Sequence, residues 1–286
     1  MTYTTITSAA ILLISLVAWA EPPTPEAIKQ LVADYSAKRP TQSVRAGLTL
    51  DEARHVQREF VKHLSSKLGK RIGYKAGLVS KAAQESVGAS APVRGVLLAD
   101  MMLQDKAEVP ANFGARPIYE PDLIVVVKDA GLNDARTPLE VARHLSEVVA
   151  FIELPDRTVA EGQKMDGNLV TAINAGARLG VLGSRVKIQP TADFVKAMEN
   201  MVITATDSNG AELAKSEGKA LMGNPLNAVL WLIKDLSETG ETLAAGDLLS
   251  LGTFSAPKPP PAGQTVTVRY EGLPGGPINA SVKFGK

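Results

Sequence analysis

The stretch Ile118-Tyr119-Glu120-Pro121-Asp122-Leu123-Ile124-Val125-Val126-Val127 opens with two acids one residue apart and runs into a continuous apolar, β-branched segment. Such a run reads as a buried strand. Alternate side chains of a strand share a face, so Glu120 and Asp122 project side by side from its mouth. A second apolar run, Val148-Val149-Ala150-Phe151-Ile152-Glu153-Leu154-Pro155, carries a third acid, Glu153, in a similar setting. Like charges buried together are costly unless protons or a cation neutralise them. Three carboxylates with no thiol and little imidazole nearby suit a hard, oxygen-preferring ion such as Mg²⁺ or Mn²⁺. The same spacing equally suits two acids solvated at a strand end.

Upstream of this stretch the chain reads as helical. Thr24 caps a helix with Pro25 in its first turn, and Ile28, Leu31, Val32 and Tyr35 give the apolar stripe. Thr49 and Glu52 form a capping box for a second helix, buried through Ala53, Val56, Phe60 and Leu64 and ended by Gly69. Residues 71–78 then read as a strand on which Gly73, Lys75 and Gly77 share one face. Either the glycines leave open space for a small molecule around the Lys75 ammonium, or they mark a bulge beneath a surface lysine. A further strand is expected over 93–102.

Downstream, Thr137 and Glu140 are another capping box and predict a helix through Val141, Leu145 and Val148. Residues 201–207, the turn Ser208-Asn209-Gly210 and the segment from Ala211 predict a hairpin. Asn224-Pro225 opens an amphipathic helix that stops near Gly240, and strands are expected over 247–255, 265–270 and 279–284. Helices cluster early and strands late, with no βαβ repetition. That order predicts an α+β architecture around a curved, mostly antiparallel β core.

Composition bounds the function. At 286 residues and 45% hydrophobic, the chain is long enough for a sizeable core, and its net charge of +1 gives no electrostatic footprint for nucleic acid. Aromatics are 5% of the chain and do not interleave with a basic stripe, which excludes stacking platforms for bases. The absence of cysteine excludes disulfides, thiol nucleophiles and thiolate zinc sites. The uncharged apolar run over 9–20, closing on Ala18-Trp19-Ala20, has the length of a signal-peptide core with cleavage before Glu21. Its leading segment carries no Lys or Arg, which departs from that pattern. The expectation is an exported, periplasmic protein with no membrane attachment after cleavage: a leader over 1–20, then one domain over 21–286. That domain divides into a helical part over about 24–70 and a β-rich part over about 71–286.

Other tempting features weigh little. His55 and His63 lie eight apart on one helix, too far for one metal, and His144 reads as a hydrogen-bonded packing residue. The glycines of 176–183 lack the spacing of a dinucleotide loop. Ser216-Glu217-Gly218-Lys219 matches a Ser-x-x-Lys acyl-enzyme pattern, but neither Ser-Asp-Asn nor Lys-Thr-Gly occurs in the chain.

Taken in order, Gly73-Tyr74-Lys75-Ala76-Gly77-Leu78, Ala99-Asp100-Met101, Glu120-Pro121-Asp122, Ile152-Glu153, Gly223-Asn224-Pro225-Leu226 and Gly246-Asp247 resemble one family. It is the 2-oxopent-4-enoate hydratase / 4-oxalocrotonate decarboxylase family, of the fumarylacetoacetate hydrolase-like fold. The resemblance runs from about Arg45 to the end. It implies a mixed β-roll, a Mg²⁺ or Mn²⁺ ion held by Glu120, Asp122 and Glu153, and Lys75 as the active-site lysine. It also implies substrate contacts at Gly77, Leu78, Asn174 and Thr253, and a supporting acid at Asp156. The implied partner is a small 2-oxo acid, and the implied assembly a homo-oligomer. Chelated as an enolate, such an acid would exchange protons with Lys75, whose burial would lower its pKa. Asp122 is shorter than the family's second Glu. Pro92-Val93 stands where the family carries Pro-Asp, and Asn174-Ala175-Gly176-Ala177 where it carries Asn-Ala-Ser-Ser. Polar groups are thereby lost on the substrate side, which leaves a non-catalytic metal and keto-acid binder as the alternative.

Overall fold

The computed structural model describes residues 22–286; the leader over 1–20 and the cleavage site before Glu21 lie outside them. Both early helices start where their caps require. In α1 (Pro25–Ser36) the Thr24 hydroxyl accepts from Ala27 N, and in α2 (Leu50–Leu68) the Thr49–Glu52 box closes in both directions. There follow β1 (Arg71–Gly77), the short α3 (Lys81–Ser86), β2 (Val93–Leu98), β3 (Met102–Gln104), β4 (Ala107–Pro110) and β5 (Glu120–Val127). Next come α4 (Pro138–Arg143), β6 (Leu145–Leu154), α5 (Gly167–Ala172), β7 (Leu179–Lys187), α6 (Ala192–Asn200) and the hairpin β8 (Val202–Thr206) and β9 (Glu212–Glu217). The chain closes with α7 (Leu226–Glu238), β10 (Leu248–Ser250), β11 (Thr265–Glu271) and β12 (Ile278–Gly285). No described helix is long and apolar enough to cross a membrane.

One sequence expectation fails here. The helix predicted through Leu145 and Val148 stops at Arg143, and those two residues belong to β6. A capping box fixes where a helix begins and says nothing of its length. The run Val148-Val149 is β-branched and pairs on both sides, with β5 and with β7, so the ladder takes over. The strand expected over 247–255 is also short: only Leu248–Ser250 pairs, with β1 and β5.

The strands form two sheets. One has seven strands in the order β2-β1-β10-β5-β6-β7-β3, the other five in the order β4-β12-β11-β8-β9. Most neighbours are antiparallel; β1–β10, β3–β7 and β4–β12 are parallel. The architecture is therefore α+β with a mixed, curled β core. The main hydrophobic core lies between the sheets and against α4, α6 and α7. A second cluster docks α1 and α2 on α5 and the end of β2. Tyr270 of β11 ties the sheets together, donating its hydroxyl to the carbonyls of Asp122 and Phe151. Ile124, Val149 and Phe151 pack separately, on the face of β5 and β6 that also carries Asp122 and Glu153.

Candidate active site

Register builds the site. The β5–β6 ladder sets Glu120 directly opposite Glu153, and Asp122 two residues along on the same face. Lys75 of β1 pairs with Ser250 of β10, and Ser250 pairs with Ile124 of β5, which carries the lysine to the acids across one intervening strand. Its ammonium reaches Glu153 Oε1 and donates to the Ala175 carbonyl at 3.0 Å. Lys75, Asp122 and Glu153 are buried, with relative exposures of 3%, 0% and 2%, while Glu120 is half-buried. The solvated strand end is thereby excluded, and so is the surface lysine.

Of the two readings of the glycines around Lys75, open space is not what the structure has, and a register irregularity does fall between Arg71 and Gly73. A side chain at Gly73 would stand 1.9 Å from the Leu248 carbonyl, so that position admits the backbone of β10 rather than a ligand. Gly77 lies beneath Val93 and Ala175, and a Cβ at Gly95 would meet Lys75 Cγ at 2.7 Å. These glycines let main chain and the lysine stem approach closely.

Charge balance dominates the site's electrostatics. Burial raises the Asp122 pKa from 3.8 to about 7, helped by Glu153 and opposed by hydrogen bonds from Ser250 and Leu123. Glu120 is pushed well above the carboxylate range by burial and by Glu153, with partial relief from Lys75. With no cation among the acids, two influences on the Lys75 pKa oppose each other. Burial does act to lower it, but Glu153, Glu120 and Asp122 together hold Lys75 above its ordinary value.

Three carboxylates thus share one ammonium, and the donors are all hard oxygens, which fits a divalent cation in charge and in chemistry. The present side-chain positions do not surround one point. Among the described residues no three acids or imidazoles are arranged to hold an ion. Asp122 instead accepts from Ser250 Oγ and from the N–H groups of Leu123 and Gly252, the last at 2.9 Å, while Glu153 faces Lys75.

The other candidates fall at varying distances from this centre. Gly77 is two residues beyond Lys75, and Leu78 takes a left-handed φ of 54°, its carbonyl accepting from Gln84. Asn174 is fully buried with its amide committed: Oδ1 accepts from Val96 N and Gln57, and Nδ2 donates to Val96 O. Its part is to anchor a turn in which Asn174, Ala175 and Gly176 all have positive φ, and that turn aims the Ala175 carbonyl at Lys75. Thr253 bonds to Ser255, and its neighbour Gly252 makes the contact to Asp122. Asp156 accepts from the N–H groups of Ala115 and Arg116 and from Arg178 at 3.1 Å, so it braces the loop leading to β5 and touches none of the three acids. His55 and His63 are exposed, and His144 pairs with Asp129 at 2.7 Å.

Sequence reading missed Ser250, Gly252, Gly95 and the Ala175 carbonyl. A lone serine inside Leu248-Leu249-Ser250-Leu251 and a glycine inside Val93–Leu98 were the available signals: a polar group and a missing side chain within buried strands.

No family model matches the chain. It is 30% identical over 210 residues to 2-keto-4-pentenoate hydratase of Paraburkholderia phymatum, covering 73% of this chain and 77% of that one. It is 30% identical to the TodF product hydratase of Pseudomonas putida over 71% of this chain and 73% of the relative. To the 4-oxalocrotonate decarboxylase of P. putida it is 26% identical, over 79% of this chain and 83% of the relative. Among solved structures, 4-oxalocrotonate decarboxylase from P. putida G7, complexed with magnesium and adipate, superposes with a TM-score of 0.75 at 24% identity. That match covers 91% of this chain and 98% of the other. Fumarylpyruvate hydrolase from Pseudomonas aeruginosa, in complex with Mn²⁺ and pyruvate, gives 0.53 at 18% identity over 76% of this chain and 89% of the other. With a hydratase relative at 30% identity across most of both chains and this fold, the chain belongs to the 2-keto-4-pentenoate hydratase / 4-oxalocrotonate decarboxylase family of fumarylacetoacetate hydrolase-like proteins.

Proposed function

We propose that the chain is a divalent-cation-dependent lyase, of hydratase or decarboxylase type, acting on a small 2-oxo acid. The observation that carries this reading is the gathering of buried Asp122 and Glu153 with half-buried Glu120 around the single ammonium of Lys75. Glu120, Asp122 and Glu153 would hold Mg²⁺ or Mn²⁺, with Ser250 and Gly252 orienting Asp122. The bound ion supplies Lewis-acid stabilisation of negative charge growing on a substrate oxygen. Lys75 is enclosed and fixed by the Ala175 carbonyl, so it is placed to exchange a proton with a bound substrate from a defined position. The enclosing strands exclude water from the lysine and strengthen each of these interactions. The leader expected over 1–20 makes the periplasm the compartment of this reaction.

A second reading, a binder without turnover, is favoured by Val93: it is apolar, 7% exposed, and packed over Gly77 beside Ala175. Thermal unfolding tests the metal site. The midpoint should rise with Mg²⁺ over EDTA, and rise again with oxalate only when Mg²⁺ is present. A Glu120→Ala, Glu153→Ala double variant should lose both shifts; if it keeps them, the site is elsewhere. Lys75→Ala then separates the two readings. An enzyme loses turnover of 2-oxo dienoates while keeping the oxalate shift, and a binder has no turnover in the parent.

A further inference from the structure

The Asp122 carboxylate is committed at both oxygens. Oδ1 accepts from the backbone N–H groups of Leu123 and Gly252, the latter at 2.9 Å, and Oδ2 accepts from the Ser250 hydroxyl. An ionised carboxylate has about four acceptor sites, so one remains, and it lies on Oδ2. We infer that Asp122 gives a cation a single oxygen, and that Ser250 and Gly252 in this way make the site prefer Mg²⁺ to Ca²⁺. The inference rests on the proposed reading of Glu120, Asp122 and Glu153 as the group that holds a divalent ion, and adds the ion's selectivity to it.

The surroundings keep this arrangement from relaxing. Asp122 and Ser250 are fully buried, so water does not take over from either partner. Tyr270 donates to the Asp122 carbonyl and fixes its main chain from the other sheet. The segment that brings the donors is itself bonded to β5: Leu251 N donates to the Leu123 carbonyl at 3.0 Å and Phe254 N to the Pro121 carbonyl at 2.9 Å. Gly252 has a φ of 108°, and a Cβ there would stand 2.6 Å from Val79, so the position that presents this N–H requires glycine. Glu153 is limited as well, since its Oε1 faces the Lys75 ammonium. Ca²⁺ gathers about six to eight oxygens and commonly takes carboxylates through both of theirs. Mg²⁺ takes about six in near-ideal octahedral geometry and keeps several of them as water. Carboxylates restricted to one oxygen therefore suit the smaller ion.

Calorimetric titration of magnesium chloride and of calcium chloride into the metal-free full chain tests the inference. The parent should bind Mg²⁺ about tenfold more tightly than Ca²⁺. Ser250→Ala removes the hydroxyl that aims the one available oxygen. Mg²⁺ should then lose about tenfold in affinity while Ca²⁺, with its more flexible geometry, loses less. Ser250→Thr keeps a hydroxyl and should return the ratio towards that of the parent. A serine that only supports the fold would lower the melting temperature of Ser250→Ala and weaken both ions alike, which would overturn its role in selectivity. Asp122→Glu carries the carboxylate one methylene beyond its three donors and frees both oxygens, so the preference should shrink towards parity; an unchanged ratio in a folded Asp122→Glu would overturn the single-oxygen argument. The parent's own ratio decides the matter even where a variant fails to fold. Equal affinities for the two ions in the parent overturn the inference and leave the ion-holding reading standing, whereas no binding of either ion overturns both.

Discussion

At the scale of single residues, a raised carboxylate pKa is a statement about stability. Asp122 binds its proton up to about pH 7 in the folded chain, whereas the unfolded chain releases it near 3.8. Between those values the folded state holds more protons, so stability falls as pH rises, the reverse of an ordinary salt-bridged acid. In EDTA the guanidinium midpoint should therefore drop between pH 5 and pH 8, and Asp122→Asn should flatten the slope. A parent slope that Asp122→Asn leaves unchanged would put the burden on other groups. Lys75 supplies the opposing charge, and Lys75→Met strands two buried acids, Asp122 and Glu153, beside half-buried Glu120. The variant should lose about 3 kcal/mol in EDTA and gain more from Mg²⁺ than the parent does, because added cation then meets no internal competitor. A smaller magnesium shift in Lys75→Met than in the parent would contradict that competition.

At the scale of elements, strand packing explains what the sequence shows and what it hides. The alternation of Glu120 and Asp122 and the apolar runs around them are local, so both strands and the acidic face were legible. Local signals cannot tell which strand lies next to β1. Gly73 was therefore readable as a position without a side chain but not as the place where β10 presses in, with Leu248 O 1.9 Å from a hypothetical Cβ. The buried ion pair of Lys75 was hidden for the same reason: its partners arrive from β6 and from the turn at Ala175, about 80 and 100 residues onward. Likewise α4 carries a helix-start signal whose end is decided by pairing partners not visible locally. Gly73→Ala tests this directly. No side-chain movement relieves a clash with backbone, so the variant should cost about 3 kcal/mol or more. Gly88→Ala, with nothing within 4 Å of its Cβ but a left-handed φ of 62°, should cost about 1 kcal/mol. Equal midpoints for the two variants in urea would dismiss the β10 contact.

At the scale of the whole molecule, the question is whether the helical part before residue 70 and the β-rich part after it behave as one unit. Arg178 is where they are fastened. Its guanidinium lies 4.3 Å from the ring centroid of Tyr35 in α1 and donates to the Tyr35 carbonyl at 3.1 Å. The same group donates to the Phe113 carbonyl at 2.7 Å and to Asp156 at 3.1 Å, and Asp156 in turn holds Ala115 and Arg116 ahead of Glu120. One buried side chain thus links the first helix, the loop into β5 and the start of β7. Replacing it by methionine keeps much of the apolar stem while stranding two carbonyls and part of a buried carboxylate, a loss of about 3 kcal/mol. If the chain is a single domain, the parent unfolds in one calorimetric transition whose van't Hoff and calorimetric enthalpies agree. Arg178→Met should then lower that transition without splitting it, because the apolar cluster joining α1 and α2 to α5 and β2 still couples the two parts. Two resolved transitions in the parent would make the helical part a separate domain. A split seen only in Arg178→Met would give the coupling to this arginine rather than to the shared core. The magnesium shift extends the test to function: since Asp156 braces the loop that delivers Glu120, Arg178→Met should also reduce that shift, although Arg178 touches none of the three acids.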